Sequence, residues 1–159
     1  MLKISQITAE NNIAIAQVIR QVMADFDVDP STTIVGDPTL DRMYETYQQP
    51  RAIYYVAFWN DVLVGGCGIR KLDGTEENIC ELQRMFLLHQ ARGKGIAKQL
   101  MELCLQKAKE FAYAQIYIET LSQMHEARSL YHKFGFKVID NALGDTGHCG
   151  CDIKMLKKL

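Results

Sequence analysis

The chain lacks long hydrophobic runs, internal repeats and a strong net charge of either sign. In its 159 residues no apolar run approaches the roughly 20 residues of a membrane-spanning helix, and residues 1–6 lack the apolar stretch of a secretory signal. The formal net charge of −1 gives no bulk attraction to nucleic acid or to an anionic membrane. We therefore expect a cytoplasmic protein that binds neither nucleic acid nor membrane.

The sequence also lacks the paired cysteine motifs of disulfide-rich and zinc-binding domains. Its five cysteines are an odd number scattered through predicted core elements, which fits reduced thiols better than a disulfide framework. His148, Cys149 and Cys151 lie close in sequence, but they supply at most three metal ligands and no second paired cluster accompanies them. We therefore expect no metal, with Cys149 and Cys151 as small strand residues and His148 in the lining of a substrate cleft.

Hydrophobic periodicity predicts one α/β domain over residues 1–159. The two strands around Glu81–Leu87 and Gln115–Glu119 flank a helical crossover, so they should be parallel and central in a mixed sheet. The predicted strands are Lys3–Thr8, Ile53–Trp59, Val62–Ile69, Glu81–Leu87, Gln115–Thr120, Phe136–Ile139 and Cys149–Leu156, and the predicted helices run from about Ile15 to Phe26, Pro38 to Tyr47, Ile96 to Phe111 and Ala127 to Phe134.

The junction between the central strand and the helix that begins at Ile96 predicts an anion site. The first turn of a helix carries backbone N–H groups without intrahelical partners, together with partial positive charge from the helix dipole. Gly93 and Gly95 let a phosphate approach closely, and Arg92 and Lys94 add full charges. The spacing matches neither a P-loop nor a complete Gly-x-Gly-x-x-Gly motif. We expect a ligand that carries phosphate, in the form of a pyrophosphate.

The segment Gln90–Gly95, with the sequence QARGKG, resembles the Gln/Arg-x-x-Gly-x-Gly/Ala signature of the GNAT superfamily of acyl-CoA-dependent N-acetyltransferases. The resemblance extends over nearly the whole chain. It implies a mostly antiparallel central sheet with a splayed parallel strand pair, flanked by about four helices. It also implies that acetyl-CoA is bound, chiefly through backbone groups, by Met85, Phe86, Leu87, Gln90, Ala91, Arg92, Gly93, Lys94, Gly95, Ile96 and Ala97.

Two residues are candidates for the chemistry of acetyl transfer, in which the amine loses a proton and the departing thiolate gains one. Glu81 lies on the central strand, where a glutamate acts as the base in some relatives, and burial would raise its pKa. Its alternative role is a structural carboxylate paired with Arg84 or another cation. Tyr131 stands in a segment similar to the family's Leu-Tyr-x-x-x-Gly-Phe, which implies that its hydroxyl protonates the coenzyme sulfur. Its alternative role is a core aromatic residue with one structural hydrogen bond.

The resemblance implies direct transfer of an acetyl group to the primary amine of a small molecule in a ternary complex. An acidic rim could attract such an amine, although helix capping and solvated loops are the alternative interpretation. Two other functions stay open: a non-catalytic acyl-CoA-binding regulatory module, and a protein acetyltransferase acting on a lysine or an N-terminus. Relatives are commonly dimers, so a homodimer is one of the states considered. The rim residues are Asp25, Asp27, Asp29, Asp37 and Asp41.

Overall fold

A mixed sheet forms the centre of the protein. Over the residues that the computed structural model describes, 1–26, 34–148 and 150–159, the sheet has seven strands in the order β1-β2-β3-β4-β5-β7-β6. Among these strands only β4 and β5 pair in parallel, which confirms the predicted class. The strands are β1 (Leu2–Gln6), β2 (Ile53–Trp59), β3 (Val62–Lys71), β4 (Ile79–Leu87), β5 (Gln115–Thr120), β6 (Lys137–Ile139) and β7 (Ile153–Lys158).

Four helices in the described part of the chain accompany the sheet: α1 (Asn12–Ala24), α2 (Met43–Thr46), α3 (Ile96–Glu110) and α4 (His125–Lys133). In α1 the buried residues Ile15, Ile19 and Val22 recur at the spacing of one helix face. This apolar face packs against β3 and β4, and its spacing confirms the predicted amphipathic helix. No helix among the described residues combines the length and apolar character needed to cross a membrane.

The two parallel strands separate along their length. Their pairing covers Ile79–Glu81 of β4 and Gln115–Tyr117 of β5, although β4 continues to Leu87 and β5 to Thr120. Beyond this point the strands no longer share hydrogen bonds, which confirms the predicted splayed pair. A cleft therefore opens between the carboxyl ends of the two central strands.

A β-bulge distorts β4 beside this cleft. Gly66 is opposite Phe86 and Gly68 is opposite Gln83, so two residues of β4, Arg84 and Met85, lie across from a single residue of β3. Arg84 has a φ of +56°, which is strained for a residue with a side chain. The glycines of β3 are explained by tight packing against neighbouring protein atoms, since a Cβ on Gly68 would stand 2.5 Å from the carbonyl oxygen of Ile53.

Most predicted elements differ from the structure by a few residues at their ends, and two differ more. The helix predicted from Pro38 to Tyr47 is a 3-10 turn at Pro38–Arg42 followed by the short α2, because Arg42 leaves helical geometry with φ −130° and ψ 44°. The last strand begins at Ile153 and not at Cys149, and its hydrogen bonding with β5 extends the strand to Lys158. Cys149 itself lies outside the described residues, as do Asp27 and Asp29 of the predicted rim.

Candidate active site

The turn between β4 and α3 is open on one side. Gly93 and Gly95 have φ values of +73° and +75°, a conformation that favours glycine. A Cβ added to either residue would meet no protein atom within 4 Å. The first bond of α3 in this turn runs from the Gln99 N–H to the Gly95 carbonyl oxygen at 3.2 Å. The N–H groups of Ile96 and Ala97 precede it and have no acceptor one turn back, so the turn fits an anion.

Two cations flank this turn and lie over aromatic rings from other elements. The Arg92 guanidinium is 5.9 Å from the ring centre of Phe26, just after α1. The Lys94 ammonium is 5.3 Å from the ring centre of Trp59, at the end of β2. These contacts keep positive charge beside the free N–H groups at the start of α3, where it adds to the helix dipole.

The cleft between β4 and β5 contains about 550 Å³ of empty space, including its open mouth. The structure brings four of the predicted site residues to its lining: Glu81, Met85, Phe86 and Tyr131. Leu87 ends β4 opposite Gly65, and Gln90 and Ala91 lie in the 3-10 turn at His89–Ala91. The cleft and the turn at Gly93–Gly95 therefore lie at the same end of β4.

Glu81 is buried in the cleft wall, with 4% of its surface exposed. Its carboxylate accepts a hydrogen bond from the side-chain amide of Gln83. Burial raises the pKa of Glu81 to about 7, although the hydrogen bond from Gln83 acts in the opposite direction and lowers it. A carboxylic acid with this pKa can gain and lose a proton near neutral pH, as a general base must.

Arg84, the alternative partner considered for Glu81, pairs with a different carboxylate. Its guanidinium donates to Asp37 at 3.1 Å and to the Thr39 hydroxyl at 2.7 Å. Burial alone would raise the pKa of Asp37, but hydrogen bonds from Thr39 and the charge of Arg84 hold it below its usual value. The Tyr54 hydroxyl donates to the Arg84 carbonyl oxygen at 2.7 Å. These bonds fix the bulge in β4 to the residues that precede α2.

Tyr131 projects from α4 into the other wall of the cleft. It is 3% exposed, and its ring centre lies 5.9 Å from that of Phe136. Burial raises the pKa of Tyr131 well above its ordinary value, so the hydroxyl keeps its proton at neutral pH and can donate it.

The opposite wall carries a second carboxylate that sequence reasoning missed. Glu119 on β5 lines the cleft and accepts hydrogen bonds from the hydroxyls of Tyr117, at 2.6 Å, and Thr146. Tyr117 is in register with Glu81 across the parallel pair, so the period of two along β5 could have placed Glu119 on the same face. His148 also lines the cleft, as expected, and burial lowers its pKa.

Part of the predicted acidic rim is neutralised by arginine. Asp37 pairs with Arg84, and Asp41 receives two bonds of 2.8 Å from Arg20. Asp37 also caps the turn at Pro38, accepting from the Thr39 N–H at 2.8 Å. Among the described residues, no group of three or more histidine, cysteine, aspartate or glutamate side chains is arranged to hold a metal ion.

The fold and the site together define an α/β domain in which an open turn at the start of a helix adjoins a carboxylate-bearing cleft. The family model described as "Acetyltransferase (GNAT) family" matches residues 20–136. An N-acetyltransferase of Escherichia coli K12, YjgM, is 44% identical over 156 residues, covering 97% of this chain and 93% of that protein. The chain belongs to the GNAT acetyltransferase family and is an acyltransferase by class, as predicted.

Solved structures show the same fold at low sequence identity. A GNAT-family acetyltransferase from Staphylococcus aureus superposes with a TM-score of 0.81 at 18% identity, covering 99% of both chains. YncA from Salmonella typhimurium, solved with acetyl-CoA, gives a TM-score of 0.76 at 16% identity, covering 99% of this chain and 93% of that one.

Proposed function

We propose that the protein transfers an acetyl group from acetyl-CoA to a primary amine of a small molecule, directly and within a ternary complex. The observation that carries this proposal is the position of the open Gly93–Gly95 turn at one end of a cleft that Glu81 and Tyr131 line from opposite walls. The acetyl-CoA-bound structure of YncA, which has the same fold, supports the assignment of the nucleotide ligand.

In this proposal the coenzyme is held mainly by main-chain groups. The N–H groups between Gly93 and Ala97 bind the pyrophosphate, assisted by Arg92 and Lys94. A β-bulge adds one residue to a strand, and the backbone N–H group of that residue is left out of the hydrogen bonding between the strands. We therefore assign the N–H group of Met85, one of the two bulge residues of β4, to polarise a carbonyl oxygen in the cleft. Acetyl-CoA supplies the acetyl group as an activated thioester.

Glu81 and Tyr131 then carry out the two proton transfers of the reaction. The Glu81 carboxylate accepts a proton from the ammonium group of the acceptor, which becomes nucleophilic as a neutral amine. The Tyr131 hydroxyl donates its proton to the departing sulfur. The burial of both side chains suits these opposite roles, because it favours the uncharged form of each group near neutral pH.

The charges around the cleft favour a cationic acceptor. Glu81 and Glu119 line the cleft, and neither forms an ion pair with a described residue. The two nearby guanidinium groups, Arg70 and Arg84, are each paired with another carboxylate instead. The cleft therefore carries negative charge without a matching cation, which attracts an ammonium group and disfavours an anionic acceptor.

The test is amine-dependent release of coenzyme A thiol, measured across a panel of small amines for the wild type and Tyr131→Phe. We expect saturable turnover for the wild type. Loss of the phenolic proton donor should lower kcat by about 100-fold, the lower end of the usual contribution of a general acid, and the Kd for acetyl-CoA should stay close to the wild-type value.

Tyr113→Phe is the matched control, because Tyr113 is also buried and its hydroxyl donates to the Arg51 carbonyl oxygen at 2.8 Å, outside the cleft lining. It should have wild-type kcat. Acetyl-CoA binding without turnover on any amine would overturn the transferase proposal and favour the regulatory binding module.

A further inference from the structure

A buried chain of hydrogen bonds runs behind the carboxyl group of Glu81. The Gln83 side-chain nitrogen donates to Glu81, and the Gln83 side-chain oxygen accepts from the Tyr47 hydroxyl at 2.7 Å. Tyr47 and Gln83 are 2% and 7% exposed, so neither can exchange its partner for bulk water. These hydrogen bonds join Tyr47, the residue after α2, to Gln83 of β4, which is 36 positions further along the sequence.

The chemistry of the three groups sets the direction of these bonds while Glu81 is ionised. A carboxylate only accepts hydrogen bonds, so Gln83 must present its nitrogen to Glu81. The Gln83 oxygen then faces Tyr47, whose hydroxyl donates. In this state each of the three side chains, Glu81, Gln83 and Tyr47, has a hydrogen-bond partner. This matters because an unpaired buried polar group costs free energy.

When Glu81 takes a proton from the acceptor, an N–H bond of the ammonium breaks and an O–H bond forms on the carboxyl group. Glu81 then has a hydrogen to donate. If the Gln83 amide rotates by half a turn, its oxygen accepts from Glu81 and its nitrogen donates to the Tyr47 oxygen. A tyrosine hydroxyl can donate or accept, so the three groups stay joined with both bonds reversed, and the Tyr47 hydrogen turns away from Gln83. The proton later leaves Glu81 to water through the open cleft.

We propose that Gln83 and Tyr47 form a reversible hydrogen-bond relay that holds the Glu81 carboxyl group in one place in both of its protonation states. Both would then be positioning residues for acetyl transfer, acting through Glu81 without touching the substrates. This inference rests on the proposed function, since it assigns Glu81 the role of the base.

Several other charged or titratable groups surround Glu81. The substitutions that test the relay leave the charges around Glu81 unchanged. The charges of Arg70 and Arg84 lower the pKa of Glu81, and that of Glu119 raises it. Substituting Gln83 leaves all three in place. The facing groups are Arg70 on β3, Cys80 and Arg84 on β4, Tyr117 and Glu119 on β5, Tyr47 after α2, and His148 at the cleft.

The first test is the pH dependence of kcat in Gln83→Leu, which removes the amide but keeps a side chain of similar volume. Without its donor the Glu81 carboxylate is less stable, so its pKa should rise. The acid limb of the kcat profile should therefore move to higher pH by about one to two units. Tyr47→Phe should lower kcat at all pH values without moving the limb, because it removes one partner in either state. Tyr113→Phe should match the wild type.

The second test needs no turnover, so it separates failure of the relay from failure of the proposed function. In wild-type protein labelled with ¹⁵N-glutamine, the side-chain amide signals of Gln83 should titrate with a midpoint near the Glu81 pKa of about 7, and Glu81→Gln should abolish that titration. An unshifted acid limb in Gln83→Leu, or Gln83 signals that do not change across that pH range, would overturn the relay.

Discussion

Replacing Glu81 with glutamine should lower kcat by roughly 10²- to 10⁴-fold, the usual contribution of a general base, without weakening acetyl-CoA binding. Glutamine has the same shape but cannot take the proton of the acceptor ammonium. Because burial raises the pKa of Glu81 to about 7, the wild-type kcat should rise with pH through that value. The residual activity of the variant should lack this limb. Steady-state kinetics between pH 5.5 and 9 measures both effects.

The free energy of unfolding of Glu81→Gln should rise at neutral pH, although its kcat falls. The folded-state pKa of Glu81 is raised from 4.5 to about 7. Between these values the folded protein therefore binds more protons than the unfolded chain, so the free energy of unfolding falls as pH rises through this window. Above pH 7 Glu81→Gln should be more stable than the wild type by roughly 1–3 kcal/mol, and the difference should vanish below about pH 4.5.

The pairing of lost activity with gained stability excludes misfolding as the cause of the kinetic effect. Glu102→Gln is a control, because Glu102 is an exposed residue of α3 whose carboxylate lies as far as 3.9 Å from the Lys98 ammonium, so the contact is weak. It should leave kcat and its pH profile unchanged. A Glu81→Gln enzyme with near wild-type kcat and an intact acid limb would remove Glu81 from the mechanism.

Gly93→Ala should weaken acetyl-CoA binding by about 10- to 100-fold. Alanine is strained at the φ of +73° by roughly 1–2 kcal/mol, and relief of that strain would rotate the N–H groups of the turn. The new Cβ would also stand in the open space that a phosphate oxygen needs. Each 1.4 kcal/mol of lost binding energy weakens Kd about tenfold, and titration calorimetry measures it directly.

Gly147→Ala is the matched control for this substitution. Gly147 has the same φ of +73°, and its added Cβ would also meet no protein atom within 4 Å. The control should lose similar stability on heating yet bind acetyl-CoA as the wild type does. Equal Kd values for Gly93→Ala and the wild type would mean that the coenzyme does not contact this turn.

Local sequence patterns predicted the features that position the ligands. The glycines before Ile96 fixed where α3 begins, and the crossover between Glu81–Leu87 and Gln115–Glu119 fixed the parallel pair. The first signal is local, and the second follows from the order of elements, because two strands joined by a helical crossover pair in parallel. Glu81 was chosen from its place on the central strand and from the resemblance to the GNAT family, whereas Gln83, which also lines the cleft, was not singled out.

The contacts that set the chemistry of Glu81 could not be predicted from such patterns. Tyr47 meets Gln83 across 36 positions, and Asp37 meets Arg84 across 47. Both contacts join the segment around α2 to β4, and that segment proved to be a 3-10 turn with a short helix where one longer helix was predicted. Side-chain partners at such separations depend on how distant elements pack, which local periodicity does not encode.

We propose that the main-chain N–H groups between Gly93 and Ala97 bind the pyrophosphate of coenzyme A, and the assignment of the whole site depends on this contact. Amide NMR of ¹⁵N-labelled protein tests it most directly, with coenzyme A compared against pantetheine, which lacks the pyrophosphate. We predict that coenzyme A produces its largest amide shifts at Gly93, Gly95 and Ile96 and that pantetheine leaves these signals unmoved. Coenzyme A that binds without shifting these amides would contradict the account.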